Sequence, residues 1–148
     1  MMFISLPVTD LERSIAFYEA IGGRKNPMFS DHNSACIVVE DDHNYFMLTT
    51  RDFLQTMTDL PLGDPAKNPY TSISLFQPTR DDVDALVAKA VAAGGSEQHE
   101  PADYGFMYQR GVLDPDGNAF EFGWMDPKAA TMGPDAFMAE QGTDSPQS

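Results

Sequence analysis

Apolar and polar positions alternate most cleanly between residues 104 and 125, where two aromatic runs flank Asp114-Pro115-Asp116-Gly117-Asn118. Alternation at period 2 marks a strand with two unlike faces. Pro115 presets φ for a turn, Asp114 and Asp116 can bond nearby backbone, and Gly117 accepts positive φ. The stretch therefore predicts strand, turn, strand. On the second strand Glu121 stands between Phe120 and Phe122, so the same alternation sends it to the face opposite both aromatics.

Upstream, Met2–Val8 predicts an opening strand. Thr9-Asp10-Leu11-Glu12 fits a capping box in which Thr9 bonds the backbone of Glu12. Leu11, Ile15 and Tyr18 continue at helical spacing until Gly22-Gly23 stops the helix. A turn is expected over 26–29 around Pro27. Strands follow over 35–40 and 45–50, joined by Asp41-Asp42-His43-Asn44, and then a short helix over 51–58. Pro61, Gly63, Pro65 and Pro69 make 59–69 a linker.

The order then recurs. A strand over 70–76 leads to a second capping box, Thr79-Arg80-Asp81-Asp82, and to a helical stripe of Val83, Leu86, Val87, Ala90 and Val91. Gly94-Gly95 ends that helix, an edge strand starts in 96–100, and the 104–125 hairpin closes the unit. A strand–helix–strand–strand–strand unit is thus written twice, over 2–50 and 70–125. The pattern predicts an α+β fold with one domain, 1–126, and an acidic tail, 127–148. The tail's composition defaults to disorder, with Phe137-Met138 as its only apolar pair, in a helical turn over 134–141.

Composition narrows the function classes. The 148 residues fit one domain and can bury roughly 68–70% of their unfolded surface without a disulfide. Nine Lys and Arg against 23 Asp and Glu give a net charge of −14. Such a surface repels phosphate backbones and anionic membranes, so neither nucleic acid nor membrane is an expected partner. The single cysteine, Cys36, lies in an apolar run and reads as a buried, inert thiol. One cysteine, no export signal in Met1-Met2-Phe3-Ile4 and no apolar run of about 20 residues give a cytoplasmic expectation.

The doubled unit, the run Asp10-Leu11-Glu12-Arg13-Ser14 ending in Phe17-Tyr18, and Asp114-Pro115-Asp116-Gly117-Asn118 followed by Glu121 resemble the vicinal oxygen chelate superfamily. That group holds glyoxalase I, bleomycin resistance proteins and extradiol dioxygenases. Asn26-Pro27, Gly105-Phe106-Met107-Tyr108 and Trp124-Met125-Asp126 are similar, more narrowly, to its bacterial branch of predicted lactoylglutathione lyases. The resemblance covers residues 2–126. It implies two βαβββ modules forming a curved, cup-like mixed sheet, the glyoxalase/bleomycin resistance fold, and a homodimer.

In metal-dependent members four side chains, two from each module, hold one divalent ion. The resemblance carries those positions onto Phe3, Met47, Ser72 and Glu121. Phenylalanine offers no donor, methionine is soft and serine is weak, so Glu121 is the only credible ligand and no cofactor is expected. A divalent metal would need ligands from loops or from a second chain. His32, His43 and His99 read as solvated loop histidines.

The expected function is binding of a small apolar or aromatic molecule in the sheet cup. Phe3, Met47, Ser72, Tyr104, Phe106, Tyr108 and Arg110 would line the site, and Glu121 would fix the polar end of the ligand. Arg110, on the adjacent hairpin strand, is the candidate cation for Glu121; the pair reads equally as a structural ion pair. The alternative is a lactoylglutathione lyase-like or dioxygenase-like enzyme with Glu121 as general base or metal ligand.

Overall fold

The computed structural model describes residues 1–40, 43–69 and 71–142. The expected turn at Asp41-Asp42, Tyr70 at the start of the second unit, and the end of the tail lie outside the described residues.

The first unit is β1 (Met2–Val8), α1 (Leu11–Ala20), β2 (Arg24–Asn26), β3 (Ser34–Glu40) and β4 (Asn44–Thr50), followed by a short helix α2 (Arg51–Gln55). The second is β5 (Ser72–Phe76), α3 (Arg80–Ala92), β6 (Ser96–Glu97), β7 (Ala102–Asp103), β8 (Met107–Leu113) and β9 (Ala119–Met125). Helices α4 (Pro127–Met132) and α5 (Pro134–Glu140) follow. Each unit makes its own mixed sheet, in the order β1-β4-β3-β2 and β5-β9-β8-β6, with β7 also on β8. The first strand of each unit runs parallel to the last. The fold is α+β, as the pattern predicts. Among the described residues no helix is long and apolar enough to cross a membrane.

Several local expectations are corrected. Arg24–Asn26 pairs with β3, so a strand occupies part of the expected turn, and only Pro27–Phe29 turns, as a single 3-10 turn. The edge strand expected over 96–100 is split into β6 and β7. Asp10, not Thr9, caps α1, accepting from Arg13 N at 3.0 Å. Thr9 is drawn away instead by Asp116, whose Oδ1 accepts from both its backbone N and its Oγ1. The second box forms by half: Thr79 caps α3 by accepting from Asp82 N, but Asp82 Oδ2 accepts from the Thr79 hydroxyl instead of its backbone N–H. In α3 the stripe buries Val83, Leu86, Val87 and Ala90 but leaves Val91 44% exposed. In the tail α5 covers the helical turn expected over 134–141, and α4 precedes it; the two are tied by a Lys128–Glu140 ion pair and bury Ala129 and Phe137.

One core joins the two units. Tyr18, Phe46 and Phe120 meet with ring centroids 5.4–5.9 Å apart, Phe120 edge to face with both of the others. Such aromatic contacts add to the burial of large apolar area. Phe46 on β4 and Phe120 on β9 hold matching places in the two modules, so the helix-bearing face of each sheet contributes to the same interior.

The Asp114–Asn118 turn works as a clamp between modules. Asp114 accepts from the backbone N of Asp116 and Asn118, from Asn118 Nδ2, and from Tyr18 Oη at 2.6 Å. Burial pushes its carboxyl above the usual range against those bonds, and pushes the Tyr18 phenol up as well. Asp116 takes Thr9, Arg13 and Ser14 of the first unit. Gly117 is required twice over: its φ is 89°, and a Cβ there would lie 2.7 Å from Ala66.

Candidate functional site

Register decides which side chains share a face. In the second sheet Glu121 pairs with Ser74 on β5 and with Gly111 on β8. Ser72, Phe76, Gln109 and Gly123 fall on the same face by period 2. Phe120 and Phe122, fully buried, take the other face with the helix. The first sheet repeats this arrangement: Met47 pairs with Ser5 and Cys36 as Glu121 pairs with Ser74 and Gly111. Phe3 occupies the place of Ser72, and its ring stacks on Tyr45 at 4.7 Å.

Around Glu121 the floor is bare backbone. A Cβ on Gly111 would lie 2.5 Å from His99 Nε2 and 3.2 Å from Glu121 Oε1. That space is filled by His99, whose Nε2 stands 3.3 Å from Glu121 Oε1 and whose Nδ1 stands 2.9 Å from the carbonyl of Glu100. The Glu100 carbonyl, and then the Glu121 carboxylate, raise the pKa of the imidazole. Glu121 Oε2 is buried and has no hydrogen-bond partner among the described residues. An uncompensated buried carboxylate oxygen is costly and points to a missing partner.

Arg110 is not that partner. It pairs with Phe122 in the ladder and so projects from the opposite face, where its guanidinium meets Asp84 at 2.8 Å and Glu97 at 2.6 Å. The expected Arg110–Glu121 pair is therefore replaced by a bridge from β8 to α3 and β6. Tyr108 lies on that same far face and donates to Asp84 at 2.9 Å. Arg80 lies over Trp124 and Tyr108, 4.8 and 5.4 Å from the ring centroids, and clamps Asp103. Tyr104 and Phe106 lie with ring centroids 6.3 Å apart in the turn before β8.

The remaining expected residues divide between the sheets. Met47 opens on a hollow of 520 Å³ lined with Met28, Phe29, Leu54 and Met57, all from the first module. Phe3 is 51% exposed on the same face of that sheet. Ser72 shares the Glu121 face, two residues along β5 from Ser74. Ser72 thus shares a face of the second sheet with Glu121, whereas Phe3 and Met47 belong to the first sheet. A larger cleft of 580 Å³ runs between the two modules, lined in part by Met2 and Ile4 of β1 and by Ile73 and Leu75 of β5. Each of these strands is the unpaired edge of its sheet.

The four positions carried over from the resemblance are held by unlike side chains. Glu121 supplies the only strong donor, and among the described residues no cluster of three or more His, Cys, Asp or Glu is placed to hold a metal. His99 and Ser74 are the site residues that sequence reasoning missed. Gly111 carried the signal, since glycine inside a strand marks close approach by another group.

Comparison with known proteins agrees with the doubled unit. The family profile described as Glyoxalase/Bleomycin resistance protein/Dioxygenase superfamily matches residues 2–122. Similar solved structures include hypothetical protein SA1046 from S. aureus, with 29% identity, a TM-score of 0.71, and coverage of 84% of this chain and 92% of that one. A glyoxalase-related enzyme from Fulvimarina pelagi has 21% identity and a TM-score of 0.71, covering 84% and 86%. Fosfomycin resistance protein FosX from Mesorhizobium loti has 14% identity and a TM-score of 0.65, covering 88% and 96%. No curated protein matches the chain.

Proposed function

Because this chain belongs to the Glyoxalase/Bleomycin resistance protein/Dioxygenase superfamily, we propose that it binds a small apolar or aromatic molecule and holds the polar end of that molecule on Glu121, without a divalent metal. The observation that carries this reading is the buried Oε2 of Glu121, which has no hydrogen-bond partner among the described residues, with His99 as the one imidazole beside the carboxylate among those residues. A lone carboxylate with one imidazole gives two ligands, where a retained zinc ion takes three or four.

The apolar part of the site comes from the first module, where Met28, Phe29, Met47, Leu54 and Met57 line the hollow. A second copy of the chain brings such a face opposite Glu121. The unpaired edges of β1 and β5, and the half-exposed Met2, Phe3 and Phe76, support a homodimer.

The contact of His99 with Glu121 favours one second reading, a lyase- or isomerase-type enzyme in which Glu121 takes a proton from the substrate and His99 steadies the carboxylate. Calorimetric titration of the purified dimer with Ni²⁺, Zn²⁺ and Mn²⁺ tests the metal-free proposal. The expected trace shows no stoichiometric heat. Uptake of one ion per site at micromolar affinity would overturn it.

A further inference from the structure

The hollow beside Met47 is walled by a turn that holds apolar side chains out in water. Asn26 Oδ1 accepts from Met28 N at 3.0 Å and caps the 3-10 turn Pro27–Phe29. Ser30 ties the same segment to β3, its Oγ donating to the Asn26 carbonyl and accepting from Cys36 N. Met28 and Phe29 stand 87% and 66% exposed on that turn, and Met57, which lines the same hollow, is 64% exposed. Large apolar side chains anchored in this way around a concave site give the apolar body of a ligand a surface to bury.

One charged group joins them. Among the described residues that line the hollow Asp31 alone carries a charge, and the other polar members are the hydroxyls of Ser5, Ser30, Ser34 and Thr49. Asp31 is held by its own turn. Its Oδ1 accepts from the backbone N of Asn33 at 2.8 Å and of Ser34 at 2.9 Å, and its backbone N donates to the Ser34 carbonyl at 2.8 Å. Both carboxylate bonds fall on Oδ1, and Oδ2 takes neither of them. The Asn33 N–H, and then that of Ser34, hold the carboxyl below its usual range, so it is ionised at neutral pH. No Lys or Arg ion pair among the described residues includes Asp31. His32, the next residue, does not line the hollow, and its Nε2 stands 3.1 Å from Asn33 Nδ2.

We propose that the ligand of this hollow is an organic ammonium ion, with an aromatic or branched aliphatic body seated among Met28, Phe29, Met47, Leu54 and Met57 and its N–H donors on Asp31 Oδ2. The proposal rests on the reading of this hollow as the apolar part of the site, and it adds the charge class of the molecule. The net charge of −14 acts in the same direction, since a field of that sign gathers cations near the surface. A neutral molecule of the same shape would gain the apolar burial alone.

Two probes of one shape separate the charge from the body: 2-naphthylmethylammonium and 2-naphthylmethanol, each titrated into the ¹⁵N-labelled protein. The backbone amides of Ser5, Met47 and Thr49 serve as reporters. Both probes should shift these amides saturably, the ammonium with a Kd about two- to fivefold lower at low salt, the size of effect an exposed ion pair supplies. Raising NaCl to about 0.5 M should remove most of that advantage. D31N should bring the ammonium to the level of the alcohol. The turn survives that change, because the Asn side chain keeps an oxygen for the two backbone N–H groups. F29A, which trims the wall and leaves Asp31, should weaken both probes by the same factor.

Equal affinity of the two probes would overturn the charge class and leave the apolar reading of the hollow standing. An ammonium advantage that persists in D31N would do the same. Silence of all three amides with both probes would overturn the apolar reading together with the inference. Calorimetry with metal ions reports on Glu121 and is independent of these outcomes.

Discussion

Replacing Tyr18 with Phe removes one hydroxyl and keeps the ring that packs against Phe46 and Phe120. The hydroxyl donates at 2.6 Å to Asp114, a carboxylate only 3% exposed. Asp114 keeps its bonds from Asn118 Nδ2 and from two backbone N–H groups. The loss is therefore that of one hydrogen bond to a buried charged group, about 2 kcal/mol. For a chain of this size that corresponds to a Tm lower by about 4–8 °C at neutral pH.

The pH dependence has a definite sign. Burial raises the folded-state pKa of Asp114 above its unfolded value. Such a group contributes stability that is fully present below the unfolded pKa and is lost as pH rises through the folded pKa. The Tyr18 bond lowers the folded pKa, so Y18F raises it further and moves that loss to lower stability at neutral pH. Wild type and Y18F should thus differ most near pH 7 and converge as pH falls towards the ordinary carboxylate range. Circular dichroism melts at pH 7.5, 6 and 4.5 would show it. A Tm difference that is absent at pH 7.5, or that widens on acidification, would refute the clamp as described.

Asp116→Ala strips the acceptor from Thr9, Arg13 and Ser14 together, and urea unfolding should register a loss of about 2–3 kcal/mol. Gly117→Ala meets both the positive φ and the backbone of Ala66, so a loss of about 2 kcal/mol or more is expected in the same assay. Val87→Ala, at 1% exposure, should cost about 2 kcal/mol, whereas Val91→Ala, on the same helical stripe but 44% exposed, should cost less than about 0.5 kcal/mol.

The repeat, the two long helices and the hairpin were legible because each is long enough to show its period. Three-residue β2 and two-residue β6 and β7 have no such length and are held by their partners. Thr9 lost its capping role to a carboxylate 107 positions away, a competitor that no local motif reveals. The face of Arg110 hinged on register across the turn, since a slip of one residue exchanges the two faces of a strand. His99 stood out neither by spacing nor by neighbours. Only the pairing of Gly111 with Glu121 puts an imidazole over the carboxylate.

Crystals of the protein soaked in excess Zn²⁺ and measured at the zinc absorption edge would put the central claim to its sharpest trial. The account predicts no anomalous peak on the Glu121 face, or one held by Glu121 and His99 alone. A full-occupancy zinc bound by Glu121 together with two or more further protein side chains, from either copy, would contradict it.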